Sequence, residues 1–443
     1  MAVSFLRDII AGALVLGILV LAHEWGHFVV AKLCGVRVDV FSIGFGARLW
    51  GVKRGDTDYR VSALPLGGYV RMAGDNPVEE RTGEPHEFLS RPRWQRFLIA
   101  IAGPAMNILV TFLIFWGIYV FAGMPVDAYL HQTADVVAVP QNATAGAQGV
   151  QPGDRIVQVD GVTTPTWAKV LEQVTKAKAG DTLSMVVQRT GARQTLNLTV
   201  PTKGTPVDSV VGYPLLAPVI DEVSPGSPAA RAGLASNDTI VSTDGRPVAT
   251  WQQLVDEVRN SDGRAIQFVV RREGKEVPLV ITPIHTMTAS GDMAWQIGTL
   301  VKSPEVFEHQ GIISSAKEAG VETYLYARLI GNIFTGLFRG KLSVRDLAGP
   351  VGIVQMSGQA AKGGPMTLLN WMAYISLDLG LLNLLPIPIL DGGHVLMLAI
   401  EGTLRRDLSL AFKERFVQVG LVFLLGLFAF VMYSDILRVI QTH

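Results

Sequence analysis

The most specific chemistry in the chain lies near its start, in His23-Glu24-Trp25-Gly26-His27. On an α-helix, positions i and i+4 share a face, so both imidazoles can bind one ion. Glu24 then stands beside them as a general base for an activated water. The plain alternative is a pair of helix-packing histidines with Glu24 as their buried partner. The setting argues for chemistry: the five residues fall inside an apolar run, about 9 to 31, and ionisable groups in such runs are costly and usually functional. Lys32 marks the polar edge of that run. His23 lies about 13 Å inside it at helical rise, which makes a metal there buried but nearer that edge.

Two histidines leave a zinc site short, because catalytic sites usually have three protein ligands and an open position. The single cysteine, Cys34, excludes a cysteine-based site and an intramolecular disulfide. The best remote candidate is Asp391, in Leu390-Asp391-Gly392-Gly393-His394. His394 is the competing third ligand, and a turn or helix-cap role for Asp391 is the bland alternative. Asp391 is preferred because it lies closer to the apolar core and the glycines let the backbone turn around a metal. Asn383 precedes it in a stretch that Pro386 and Pro388 keep from being a regular helix. An amide there could hold a substrate backbone or support a developing oxyanion, or simply join helices. Asn107, in Gly103-Pro104-Ala105-Met106-Asn107, poses the same choice, and helix-joining is favoured there.

The elements that must position these residues are largely apolar. Apolar residues make up 49% of the 443 and charged residues 17%, below the roughly 25% of soluble domains. The net charge is zero, which gives no support for nucleic acid as a partner. Four runs, near 9–31, 97–122, 368–390 and 416–433, approach the roughly 20 residues a bilayer crossing needs. The expected class is a polytopic α-helical membrane protein with four transmembrane helices. Lys and Arg crowd the segments between runs one and two and between three and four, placing both on the cytoplasmic side and the long insert outside. Residues 309–345 suggest an amphipathic helix on the outer surface, with a fifth span as the alternative. Residues 37–96 suggest a partly membrane-associated strand set with turns at Gly44, Gly46 and Gly55, whose edge near 38–50 could pair with an extended substrate.

The insert contains an internal repeat, 145–174 and 228–258. Each copy predicts a short Ala-rich helix, a strand (Arg155–Val159 or Thr239–Thr243), an Asp-Gly turn and a helix marked by Trp167 or Trp251. The pattern resembles two PDZ domains, expected over 127–209 and 210–285 between the second and third spans. The remaining expected boundaries are 1–36 and 97–122 for the first two spans, 286–367 for a linker holding the amphipathic helix, 368–396 for the third span and 414–437 for the fourth.

HEWGH in the first run, GPAMN in the second, NLLPIPILDGGH in the third and the paired PDZ-like modules together resemble the site-2 protease family of intramembrane zinc metalloproteases, in its bacterial regulator-of-sigma-E type. The resemblance covers nearly the whole chain. It implies cleavage of transmembrane helices within the bilayer by one zinc ion held by His23, His27 and Asp391, with Glu24 as base. It implies a substrate-holding role for Asn383 and for the glycine-rich hairpin at Gly44 and Gly46. It also implies a bacterial inner membrane, an active site toward the cytoplasm and PDZ-like domains in the periplasm. Expected substrates are already shortened single-pass membrane proteins, such as an anti-sigma factor or remnant signal peptides, with peptide C-termini as possible ligands of the PDZ-like pair. A metal-dependent transporter and a PDZ-bearing scaffold are the other function classes. The first does not need Glu24 between metal ligands, and the second leaves HEWGH unexplained.

Overall fold

A backbone in an apolar medium must satisfy its own N–H and C=O groups, and an uninterrupted apolar run does so as an α-helix. The computed structural model describes residues 2–75, 83–139, 149–178, 180–200, 211–224, 226–288, 293–339 and 349–441. Three of the four runs form long helices, Ala2–Leu33, Arg93–Phe121 and Leu410–Gln441. These are the three helices, among the described residues, long and apolar enough to cross a membrane. The remaining run is divided. Helix Pro365–Asn383 ends before Pro386 and Pro388, and a new helix, Asp391–Leu404, starts at the Leu-Asp-Gly-Gly sequence. Proline removes a donor and disfavours helical geometry in the residue before it, so the break falls where the sequence places two of them. Helix Pro365–Asn383 is shorter than the three long ones and buries Met372, Ala373, Ile375, Ser376, Leu377 and Gly380.

The chain divides into two compact units, Met1–Gly123 with His309–His443, and Met124–Glu308. In the first unit, strands Val38–Arg54 and Thr57–Met72 form an irregular antiparallel hairpin. Its start packs on the first helix through Phe28, Ala31, Val36, Val38 and Phe41. Its far end leaves Leu49 and Trp50 exposed. Helix Ile312–Phe338 lies within the expected 309–345, of which 340–345 fall outside the described residues. It joins this unit through Trp116, whose indole N–H donates to the Ile312 carbonyl, and through Tyr374, whose hydroxyl donates to Glu322. A further helix, Pro350–Lys362, contacts the first.

The second unit repeats one design. Four-stranded sheets have the spatial order Val162–Thr163, Arg155–Val159, Thr182–Arg189, Ala192–Thr199 and, in the second copy, Arg246–Pro247, Thr239–Thr243, Ile266–Arg272, Lys275–Ile281. Helices Trp167–Val174 and Trp251–Arg259 follow the second hairpin strand in each. Both Asp-Gly turns have positive φ at both residues, as a tight two-residue hairpin turn requires (46° at Asp160 and Asp244, 79° and 76° at the glycines). Trp167 is fully buried in the first core and Phe268 in the second. A side chain of that kind contributes on the order of 3 kcal/mol through burial alone. The short Ala-rich helix appears in the second copy as Pro228–Arg231, capped by the Ser227 side chain. Residues 145–148 of the first copy lie outside the described residues. Strand Thr299–Val301 pairs with Ile220–Val223, so the second module draws on residues beyond 285.

Candidate metal centre

His23 and His27 stand one turn apart on the first helix, and both are buried. The Nδ1–H of His27 donates to the Ile99 carbonyl at 2.7 Å, which leaves the Nε2 lone pair free. That Nε2 lies 3.2 Å from Nε2 of His23. Asp391, at the first turn of its helix, closes the triangle: Oδ2 lies 3.0 Å from His23 Nε2 and Oδ1 lies 3.4 Å from His27 Nε2. Oδ2 is buried and completes no hydrogen bond of acceptable geometry.

These distances fit a metal. Tetrahedral zinc with bonds of about 2.05 Å sets ligand–ligand edges of roughly 3.3 Å. Two facing imidazole lone pairs and a carboxylate at such spacing have little reason to converge without a cation. Among the described residues, this is the only group of three or more histidine, cysteine or acidic side chains so arranged. The second helix makes room for it at Gly103, where a Cβ would stand 2.4 Å from His27 Nε2 and 2.6 Å from His23 Nε2. At the other wall, a Cβ on Gly392 would come within 2.2 Å of the Leu385 carbonyl, so glycine there lets the broken segment fold over the start of the Asp391 helix. Ile389, two residues before Asp391, has φ of 82°, a costly conformation for a β-branched residue. Such strain persists where the surroundings enforce it and gathers at functional sites.

The three groups open on a cavity of about 460 Å³, which Glu24, Asn383 and His394 also line. The structure therefore brings together His23, Glu24, His27, Asp391 and Asn383. His394 shares the cavity but not the ligand group. Gly44 and Gly46 do not line it; they sit in the first hairpin strand, each with φ of 88°. The hairpin reaches the site through its other strand: the Val70 backbone N–H donates to Glu24 Oε2 at 3.1 Å. No sequence signal marks that contact, since every residue but proline carries an N–H. Asn107 is fully buried beside His23, with its Nδ2 3.3 Å from the ring's Nδ1.

An apolar helical unit that gathers a His-Glu-x-x-His helix and a remote aspartate around one small cavity defines a membrane metallopeptidase. The family model described as Peptidase family M50 matches residues 11–427, and the chain belongs to that family. It is 32% identical to the regulator of sigma E protease of Salmonella typhi, over 98% of this chain and 99% of that protein. It is 31% identical to the regulator of sigma-E protease RseP of Escherichia coli strain K12, with the same coverage. A Vibrio cholerae protein named as a candidate zinc metalloprotease is also 31% identical, again over 98% of this chain and 99% of the relative. The chain is a metalloprotease.

Proposed function

We propose that the chain is a zinc endopeptidase that hydrolyses peptide bonds in transmembrane segments of already shortened membrane proteins. The observation that carries this is the shared cavity: a carboxylate positioned for general-base work, Glu24, opens onto the same space as His23, His27 and Asp391. These three would hold one zinc ion. When bound, zinc polarises a carbonyl and acidifies water. Glu24 takes a proton from the attacking water and delivers it to the leaving amine. The Val70 N–H on Glu24 Oε2 keeps that carboxylate aimed into the cavity. Asn383 aligns the substrate backbone. An extended substrate pairs with the hairpin, whose turns at Gly44 and Gly46 bend the strand that meets it.

The third of four spans is helix Pro365–Asn383 with the broken segment after it, and helix Leu410–Gln441 is the fourth. The paired modules of the second unit act as PDZ domains. They either hold a newly exposed C-terminus or keep bulky ectodomains out. The protein lies in the inner membrane with its site toward the cytoplasm and the modules in the periplasm, in keeping with the basic segments around Arg93–Arg96 and Arg405–Arg406. The relatives named for sigma-E regulation support an anti-sigma factor as substrate class. Helix Ile312–Phe338 runs beside the third span, with Tyr374 donating to Glu322 and Tyr326 donating to Asp378.

The test is cleavage of a model membrane substrate in detergent. Glu24→Gln should lose about 10²- to 10⁴-fold in rate while retaining zinc. Equal cleavage by wild type and variant would end the protease mechanism written here.

A further inference from the structure

The second helix presents residues 99, 103 and 107 to the histidines at the same four-residue spacing that separates His23 from His27. Ile99 supplies the acceptor that fixes the His27 ring. Gly103 leaves the space between the rings. Asn107 stands against the far nitrogen of His23.

Among the described residues, the Asn107 side chain has no other hydrogen bond: its Oδ1 is buried without a partner. Packing at this level is served instead by its backbone carbonyl, which accepts from Ser376 Oγ at 2.9 Å and from Thr111 Oγ1 at 3.0 Å. If His23 binds metal through Nε2, the nitrogen facing His27 and Asp391, its ring proton must sit on Nδ1. An amide NH₂ facing that N–H would set two donors against each other. Half a turn about the Cβ–Cγ bond puts Oδ1 there instead, at no change in shape, and gives the orphaned oxygen its donor.

We propose that Asn107 is the positioning residue for His23. Its amide oxygen accepts the Nδ1 proton and holds the ring in the tautomer that points the Nε2 lone pair at the metal. The GPAMN sequence is then part of the metal centre. One helix face carries a backbone acceptor for one histidine, an amide acceptor for the other and a glycine between them. This rests on the zinc assignment to His23, His27 and Asp391 proposed above.

The experiment measures zinc affinity of the full-length protein in detergent, by competition with graded chelator, for wild type, Asn107→Leu, Asn107→Asp and His23→Ala. Thermal melts of the metal-free forms accompany it. Losing such an outer partner should weaken zinc binding about 10- to 100-fold in Asn107→Leu. Asn107→Asp keeps an acceptor of the same shape and should bind at least as tightly as wild type. The metal-free melts should not follow this order. Should the leucine variant fail to fold, Asn107→Ala carries the same expectation without added bulk. Wild-type affinity in the leucine or alanine variant, or equal loss in Asn107→Asp, overturns the positioning role. His23→Ala separates the two levels: if it also binds zinc as wild type does, the metal assignment has failed, and the positioning role with it.

Discussion

Three fully or mostly buried aspartates sit in two different settings. In the second unit, Asp154 and Asp238 are each clasped by an arginine: Arg189 at 2.6 and 2.7 Å, Arg272 at 2.8 and 2.6 Å. Each also accepts a backbone N–H, from Gln151 or Ala235. Both arginines go on to donate to a carbonyl in the same turn, Gly149 or Gly233. Among the described residues, Asp391 of the first unit pairs with no arginine or lysine. It faces two imidazoles. A carboxylate whose oxygens are filled by fixed donors braces a fold, because its burial cost is already offset. A carboxylate that converges with two ring nitrogens is arranged as a metal ligand.

The contrast predicts opposite losses. Asp391→Ala should abolish zinc retention and lower cleavage roughly 10³-fold or more, since a bound metal supplies several kcal/mol of transition-state stabilisation. His394→Ala should keep its zinc. Bound zinc per protein and cleavage rate check both, and zinc loss in His394→Ala alone would reassign the third ligand. Arg272→Met should do the reverse. Zinc and chemistry stay, but buried Asp238 loses its partner, and the turn around it should lose about 3 kcal/mol of local stability. Hydrogen exchange across 233–243 in the full chain reads this directly. Unchanged protection there would mean the clasp is ornamental and the comparison with Asp391 is empty.

How much of this was legible in the sequence depends on what each position needed. His23, Glu24, His27 and Asp391 could be found because ionisable residues in apolar runs stand out, even some 360 positions apart. The module strands showed because alternating side chains report a half-buried sheet, and the Asp-Gly turns because few other pairs tolerate positive φ twice. Gly44 and Gly46 illustrate the limit: glycine announces backbone freedom but not which strand of a hairpin turns toward a cavity. The Val70 contact uses a group every strand residue carries. The proline break in the third run was legible, while the fresh helix at Asp391 depends on carbonyls folded over Gly392. The pairing of Thr299–Val301 with Ile220–Val223 joins short segments some 80 residues apart, and short segments carry no pattern of their own. Asn107 could be read as glue because an asparagine in an apolar helix looks the same whether it binds a helix or a histidine.

The finest test of the comparison is the sign of a pH slope. Burial pushes the Asp238 carboxyl up, but the Arg272 clasp and the Ala235 N–H outweigh it and hold the group below the ordinary carboxylate range. Its folded pKa is therefore depressed. The stability it contributes is present above the unfolded value near 4 and is lost as pH falls through the folded one. Protection around Asp238 should thus decline only below about pH 4 in the wild type. In Arg272→Met the clasp is gone and burial dominates, so the folded pKa rises above the unfolded value. The linkage then changes sign: the site is most stable with the carboxyl protonated, and protection falls as pH rises through the raised pKa. Exchange rates, corrected for intrinsic pH dependence, measure both slopes. Two slopes of the same sign would show that the arginine does not govern the carboxylate, and Asp238 would then be no contrast to Asp391.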